Sequence, residues 1–113
     1  MIYVDHAATT RLSDRAFEAM LPWLKEEYGN PSQPYSFSRK PRKAIAEARE
    51  SIAACIGAQP EEIFFTSGGT ESDNWAIKGT ALSICREGAL LVSAFEHHAI
   101  LRACEAIEAD GWP

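Results

Sequence analysis

The stretch IFFTSGGTESDN, residues 63–74, restricts the fold more than any other part of the chain. Ile63, Phe64 and Phe65 form a continuous apolar run with β-branched and aromatic members, the pattern of a strand covered on both faces in a parallel sheet. Two glycines follow, then Thr70, Glu71, Ser72 and Asp73, residue types that open helices. A strand that turns through a glycine pair into a helix leaves the first helical amides free at the strand's carboxyl end, where a ligand can approach the backbone closely. The helix dipole adds about 0.3–1 kcal/mol for a negative group there, and the Thr70 or Ser72 hydroxyl can donate one more bond. The spacing is neither GxxxxGK[ST] nor GxGxxG, so a single phosphate suits it better than a nucleoside triphosphate or a dinucleotide. A plainer reading stands beside this one: Gly68 and Gly69 make the turn, Thr70 caps the helix, and Glu71 and Asp73 are ordinary first-turn acids.

The remaining segments supply the frame. Ile2 to Val4 reads as a short extended piece followed by a polar arm, Asp5 to Arg11. Ser13 or Asp14 can cap a helix whose apolar positions Phe17, Met20, Leu21 and Leu24 fall at i, i+3, i+4 and i+7, and Pro22 should kink it or end it near Leu21. YGNPSQPYSFSRKP, residues 28–41, is loop chemistry. Ser38 then caps a second helix, with Pro41 in its first turn, Ile45, Ala48, Ile52 and Ile56 along its inner face, and Gly57 as its stop. The turn AQPEE leads to the first strand, and a helix over about 70–86 follows, with Gly88 beyond it. ALLVSAF, residues 89–95, reads as a second buried strand. A last helix spans 97–109, with Ile100, Leu101, Cys104 and Ile107 facing inward and Gly111 closing it. Strand, helix, strand, helix in this order marks an α/β domain.

FEHHAIL, residues 95–101, lies at the carboxyl end of that second strand. Ligands of open α/β sheets collect at this edge, so it shares a rim with residues 66–74. A histidine there could stack on a flat ligand, exchange a proton or bind a metal; in the plainer reading His97 starts a helix by bonding a nearby backbone group and His98 faces solvent. Neighbouring side chains diverge by about 100° on a helix and point to opposite faces of a strand, so the two histidines make a poor chelating pair and no metal site is expected. Cys55, Cys85 and Cys104 form no CxxC pair and sit among apolar residues, as reduced core thiols do. The net charge of -5 disfavours nucleic acid and anionic membrane as partners, and the basic cluster Arg39, Lys40, Arg42 and Lys43 reads as a solvated face. No stretch has the apolar length of a membrane span and the first residues do not look like a signal peptide, so a cytoplasmic protein is expected.

Four motifs in order carry a resemblance: YVDHAATT at 3–10, GNPSQPYSFSR at 29–39, IFFTSGGTESDNWAIKG at 63–79 and EHHAIL at 96–101. Together they resemble the N-terminal part of a cysteine desulfurase, in the class V aminotransferase group of fold type I pyridoxal-phosphate enzymes. The resemblance covers the whole chain and about the first third of a typical member, which implies an N-terminal fragment or a truncated product. It implies an α/β fold with a three-layer, mainly parallel sheet in the intact enzyme. Residues 1–57 would be the arm and first helices, and 58–113 the start of the cofactor-binding large domain. It assigns the cofactor phosphate of pyridoxal 5'-phosphate to the Gly69 backbone and Thr70, and ring stacking on the pyridine to His97. The implied reaction converts L-cysteine to L-alanine and passes sulfur through an enzyme persulfide to an acceptor or scaffold protein for iron-sulfur cluster or thio-cofactor assembly, in a homodimer.

The chemistry also needs a lysine bonded to the cofactor, an acid for the pyridine nitrogen, an arginine for the substrate carboxylate and a nucleophilic thiolate. In the family these lie further along the chain. Lys25, Lys40, Lys43 and Lys78 do not follow the family's histidine-lysine pattern, and none of the three cysteines matches its mobile-loop nucleophile. Tyr35 stands where many members have histidine, and Ser38 where they have glycine. A fragment inactive alone is therefore expected; a phosphate-binding module without catalysis, a related class V aminotransferase and a selenocysteine lyase stay open as alternatives.

Overall fold

The computed structural model describes residues 2–84 and 88–112. They divide into two compact units, Met1–Phe64 and Phe65–Pro113.

In the first unit, helix α1 spans Asp14–Lys25. Ser13 is its N-cap, and its hydroxyl accepts from the Ala16 amide at 3.2 Å. Pro22 does not end the helix: it runs on for another three residues, and the amides of Glu26 and Glu27 both donate to the Pro22 carbonyl at 2.9 Å. Pro22 and Glu18, the residue four positions before it, are exposed, so water can satisfy the carbonyl that proline leaves without a donor. α1 buries none of its residues, and Phe17, Met20 and Leu24 stay exposed.

Helix α2 spans Arg39–Ile56 and is preceded by a 3-10 turn, Ser36–Ser38. That turn moves the true start of the helical path upstream, so the Ser38 hydroxyl makes no capping bond, contrary to expectation; it is fully buried with no hydrogen-bond partner among the described residues. Gly57 ends α2 as expected, in the left-handed conformation at φ 70°, and the Ala58 amide bonds the Ala53 carbonyl at 3.0 Å. The inner face differs from the sequence pattern. The elements packed on α2 are its preceding turn and a second 3-10 turn, Pro60–Glu62, so burial falls on Pro41 and Ala53, while Ala48, Ile52 and Ile56 are exposed.

The basic residues of α2 are more than a solvated face. Arg42 donates from Nε to the Pro31 carbonyl and from Nη2 to the Gln33 carbonyl, both at 2.8 Å, and so clamps the proline-rich loop. Lys40 pairs with Glu27, and Lys43 with Glu47 at 3.3 Å. Gly29 is buried beneath this loop: a Cβ there would stand 2.7 Å from Phe37 Cδ2 and 2.8 Å from the Phe37 carbonyl oxygen.

In the second unit, α3 spans Gly69–Ser83 and packs on α4, His98–Ala109. The expected end of α3 near Arg86, and Cys85 with it, lie outside the described residues. Ala81, Ile107 and Trp112 form the core between them, with Ile77 and Leu90 packed against it. Gly111, at φ 89°, turns the chain so that Trp112 can return its amide to the Ile107 carbonyl at 3.1 Å. The two described cysteines are not core thiols as expected: Cys55 is exposed and Cys104 half-buried.

The two expected strands do not form among the described residues. Ile63 does take extended backbone, at φ -95° and ψ 119°, yet residues 63–65 and 89–95 enter no β-ladder. A strand is defined by bonds to another strand, and a local apolar run cannot supply that partner. Phe64 and Phe65 are exposed, and Leu91 is 99% exposed where a sheet would bury it.

Candidate functional site

The site is built at the start of α3. Its N-cap, Gly68, has φ 164°, extended backbone open to any residue, and Gly69 is already helical. The glycine pair is therefore not required by the turn. What it provides is room: a Cβ on either residue would meet no protein atom within 4 Å.

The first intrahelical bond runs from the Ser72 amide to the Gly68 carbonyl at 3.2 Å. The amides of Gly69, Thr70 and Glu71 precede it and have no intrahelical acceptor. Around them lies a set of short polar contacts. Thr66 Oγ1 and Ser72 Oγ share a bond at 2.6 Å, and each hydroxyl also lies within reach of the Gly68 carbonyl, at 3.2 and 3.4 Å. Asn74 Nδ2 donates to the Thr70 carbonyl at 2.9 Å. The Thr70 hydroxyl has no partner among the described residues.

Glu71 does not point its charge at the free amides. Its Oε2 accepts from the Ser67 hydroxyl at 2.6 Å and from the Ser67 amide at 2.7 Å. These two bonds, the hydroxyl first and the amide second, hold its carboxyl below the usual carboxylate range. Sequence reasoning took Glu71 for an ordinary first-turn acid; a hydroxyl residue four positions before an acid at a helix start was the available signal.

The second spot starts α4. His97 is the N-cap, and its Nδ1 accepts from the Ala99 amide at 3.1 Å. An Nδ1 that accepts carries no proton, which leaves the ring hydrogen on Nε2, and the ring itself is exposed. The plainer reading of His97 is thus realised, and it leaves the second ring nitrogen without a bond among the described residues. The His97 and His98 rings stand 6.4 Å apart at 57°, and no cluster of metal-ligating side chains occurs among the described residues. A groove of about 280 Å³ lies between α3 and α4, lined by Asp73 and Ile77 of α3, Leu90, Val92, Glu96 and Ile100; Gly68, Gly69, Thr70 and His97 do not line it.

Glycine amides at the start of α3, with the hydroxyls of Thr66, Thr70 and Ser72 near them, make up the candidate site. Three amides without an intrahelical acceptor and the Thr70 hydroxyl stand together there, and a Cβ on Gly68 or Gly69 would have open space.

The chain belongs to the class-V aminotransferase family, whose pattern matches residues 2–112. Among its curated relatives are cysteine desulfurase IscS of Dictyoglomus turgidum, 52% identical over 112 residues, and a putative cysteine desulfurase of Bacillus subtilis, 51% identical over the same length. Each alignment takes in 98% of this chain, which spans 28% and 30% of those proteins. Two solved structures match as closely in shape. One is a NifS-like protein, with a TM-score of 0.88, 35% identity and coverage of 96% of this chain and 30% of that one. The other is SspA in complex with cysteine, with a TM-score of 0.89, 40% identity and coverage of 97% of this chain and 32% of that one.

Proposed function

We propose that this chain is the cofactor-phosphate half of a pyridoxal-phosphate-dependent cysteine desulfurase. The single observation that carries the reading is the start of α3, where the amides of Gly69 and Thr70 have no intrahelical acceptor and the Thr70 hydroxyl has no partner among the described residues, in a chain whose relatives are named cysteine desulfurases. The Gly69 backbone and Thr70 would hold the phosphate of pyridoxal 5'-phosphate, and His97 would lay its ring against the pyridine. When bound, the cofactor supplies an electron sink that lets the carbon-sulfur bond of L-cysteine be cleaved. The residues of this chain bind and orient: the amides fix the phosphate, and the His97 cap on Ala99 sets the ring's direction.

In the full-length enzyme, 63–66 and 89–95 become strands of the α/β sheet, which the relatives' greater length supports. L-cysteine is the substrate, alanine the product, and the sulfur leaves on an acceptor or scaffold protein. The enzyme works in the cytoplasm as a homodimer. Among the described residues no helix is long and apolar enough to cross a membrane.

The test is a full-length protein carrying this chain, incubated with pyridoxal phosphate, L-cysteine and a reductant. Alanine and sulfide should appear one to one, and Thr70→Val should cut cofactor retention. A protein that holds the cofactor but releases alanine from no cysteine overturns the desulfurase reading.

A further inference from the structure

We infer that Glu71 is a positioning residue, which holds the Ser67–Gly68–Gly69 turn in its anion-receiving shape and keeps its own charge away from the anion; this rests on the phosphate reading of Gly69 and Thr70.

The argument begins with a conflict. Glu71 lies in the first turn of α3, where an acid is favoured by the helix dipole and where a bound phosphate would also sit. Two anions at one helix start repel each other. The structure resolves this by geometry: the hydrogen bonds of the Glu71 carboxylate go to one oxygen, Oε2, and both donors belong to Ser67. The side chain thus reaches back over one turn and ties the residue before the glycines to the first helical turn. Gly68 and Gly69 have no side chains to restrict them, and no protein atom lies within 4 Å of where a Cβ would stand on either. Without the Ser67–Glu71 link this pair is the loosest part of the site, because glycine loses the most backbone freedom when ordered. The link orders it before any ligand arrives, so binding need not supply that ordering.

The inference makes a prediction of sign. Glu71→Gln removes a negative charge from the neighbourhood of the phosphate, and on charge alone the variant should bind phosphate more tightly. If Glu71 positions the turn, the variant binds more weakly, since the neutral amide oxygen is a poorer acceptor for the two Ser67 donors. Ser67→Ala deletes the hydroxyl donor, leaves every charge in place, and should also weaken binding.

The experiment titrates inorganic phosphate into the isotopically labelled chain and follows the amide signals of Ser67, Gly69 and Thr70. The expected result is saturable shifts at Gly69 and Thr70 in the parent chain, and a dissociation constant raised roughly threefold or more in Glu71→Gln, the scale on which a lost capping bond moves a local equilibrium. Ser67→Ala should raise it in the same direction, and serves as the deciding variant if Glu71→Gln does not fold. Binding unchanged or tightened in both variants, with the parent chain still saturable, overturns the role of Glu71 while the phosphate site stands. A parent chain whose Gly69 and Thr70 signals ignore phosphate overturns the site itself, and this inference with it.

Discussion

His97 holds two jobs at once in the reading above, and one pair of substitutions separates them. Its Nδ1 caps α4 by accepting from the Ala99 amide at 3.1 Å, and its exposed ring is offered to the cofactor. His97→Ala removes both; His97→Asn restores a side-chain acceptor at the N-cap and removes only the ring, since asparagine ranks among the best capping residues. Losing an N-cap costs about 1 kcal/mol, which corresponds to roughly a fivefold change in the opening equilibrium of the first turn. Amide hydrogen exchange at Ala99 reads this directly, because Ala99 is buried and its amide bonds to His97. Exchange at Ala99 should quicken about fivefold in His97→Ala and return to within about twofold of the parent in His97→Asn. Cofactor retention in the full-length protein should fall in both variants and hold in His98→Ala. If His97→Asn retains cofactor as well as the parent does, the ring is not used and stacking is wrong. Unchanged Ala99 exchange in His97→Ala would refute the capping role instead.

Two further outcomes are expected. Gly57→Ala places a Cβ in left-handed backbone at φ 70°, and after allowing for the stiffer unfolded chain it should weaken the end of α2 by about 1 kcal/mol, seen as faster exchange of the Ala58 amide; an unchanged rate would show that α2 needs no glycine stop. The Glu71 carboxyl is held below its usual range in the folded chain, so its link to Ser67 is complete above that range and is lost as pH falls through the lowered value; the Ser67 amide shift should titrate below a reference glutamate peptide, and a midpoint at or above the reference would contradict the link.

Most helix starts and stops were legible because they are local chemistry, the Ser38 cap of α2 excepted. Ser13, Gly57 and Gly111 act within a few residues of themselves, and each does what its residue type predicts. The two helix starts that would carry the proposed site were legible for the same reason, since the TESDN and His97 signals are both local. Their detail was not. Glu71 turning back to Ser67 and Arg42 reaching the Pro31 and Gln33 carbonyls depend on how a loop folds over a helix, which no spacing rule reports. Pro22 does not end α1 near Leu21, one of its two expected effects, and the exposure of Glu18, which lets water reach the carbonyl that proline leaves without a donor, is a tertiary fact. The strands 63–65 and 89–95 had the right composition for a sheet, but a ladder is a property of two segments, and the partner is not written in either one.

The hydroxyls of Thr66 and Ser72 carry a last consequence. Each can donate to the other across 2.6 Å, and each can donate to the Gly68 carbonyl. In one arrangement Ser72 donates to Thr66 and Thr66 to the carbonyl; in the other the direction reverses. The two differ only by rotation of two O–H bonds, with no heavy atom displaced. The hydroxyl pair at the start of α3 is therefore a reversible dipole, able to turn over on the timescale of a hydroxyl rotation without any rearrangement of the backbone around Gly68.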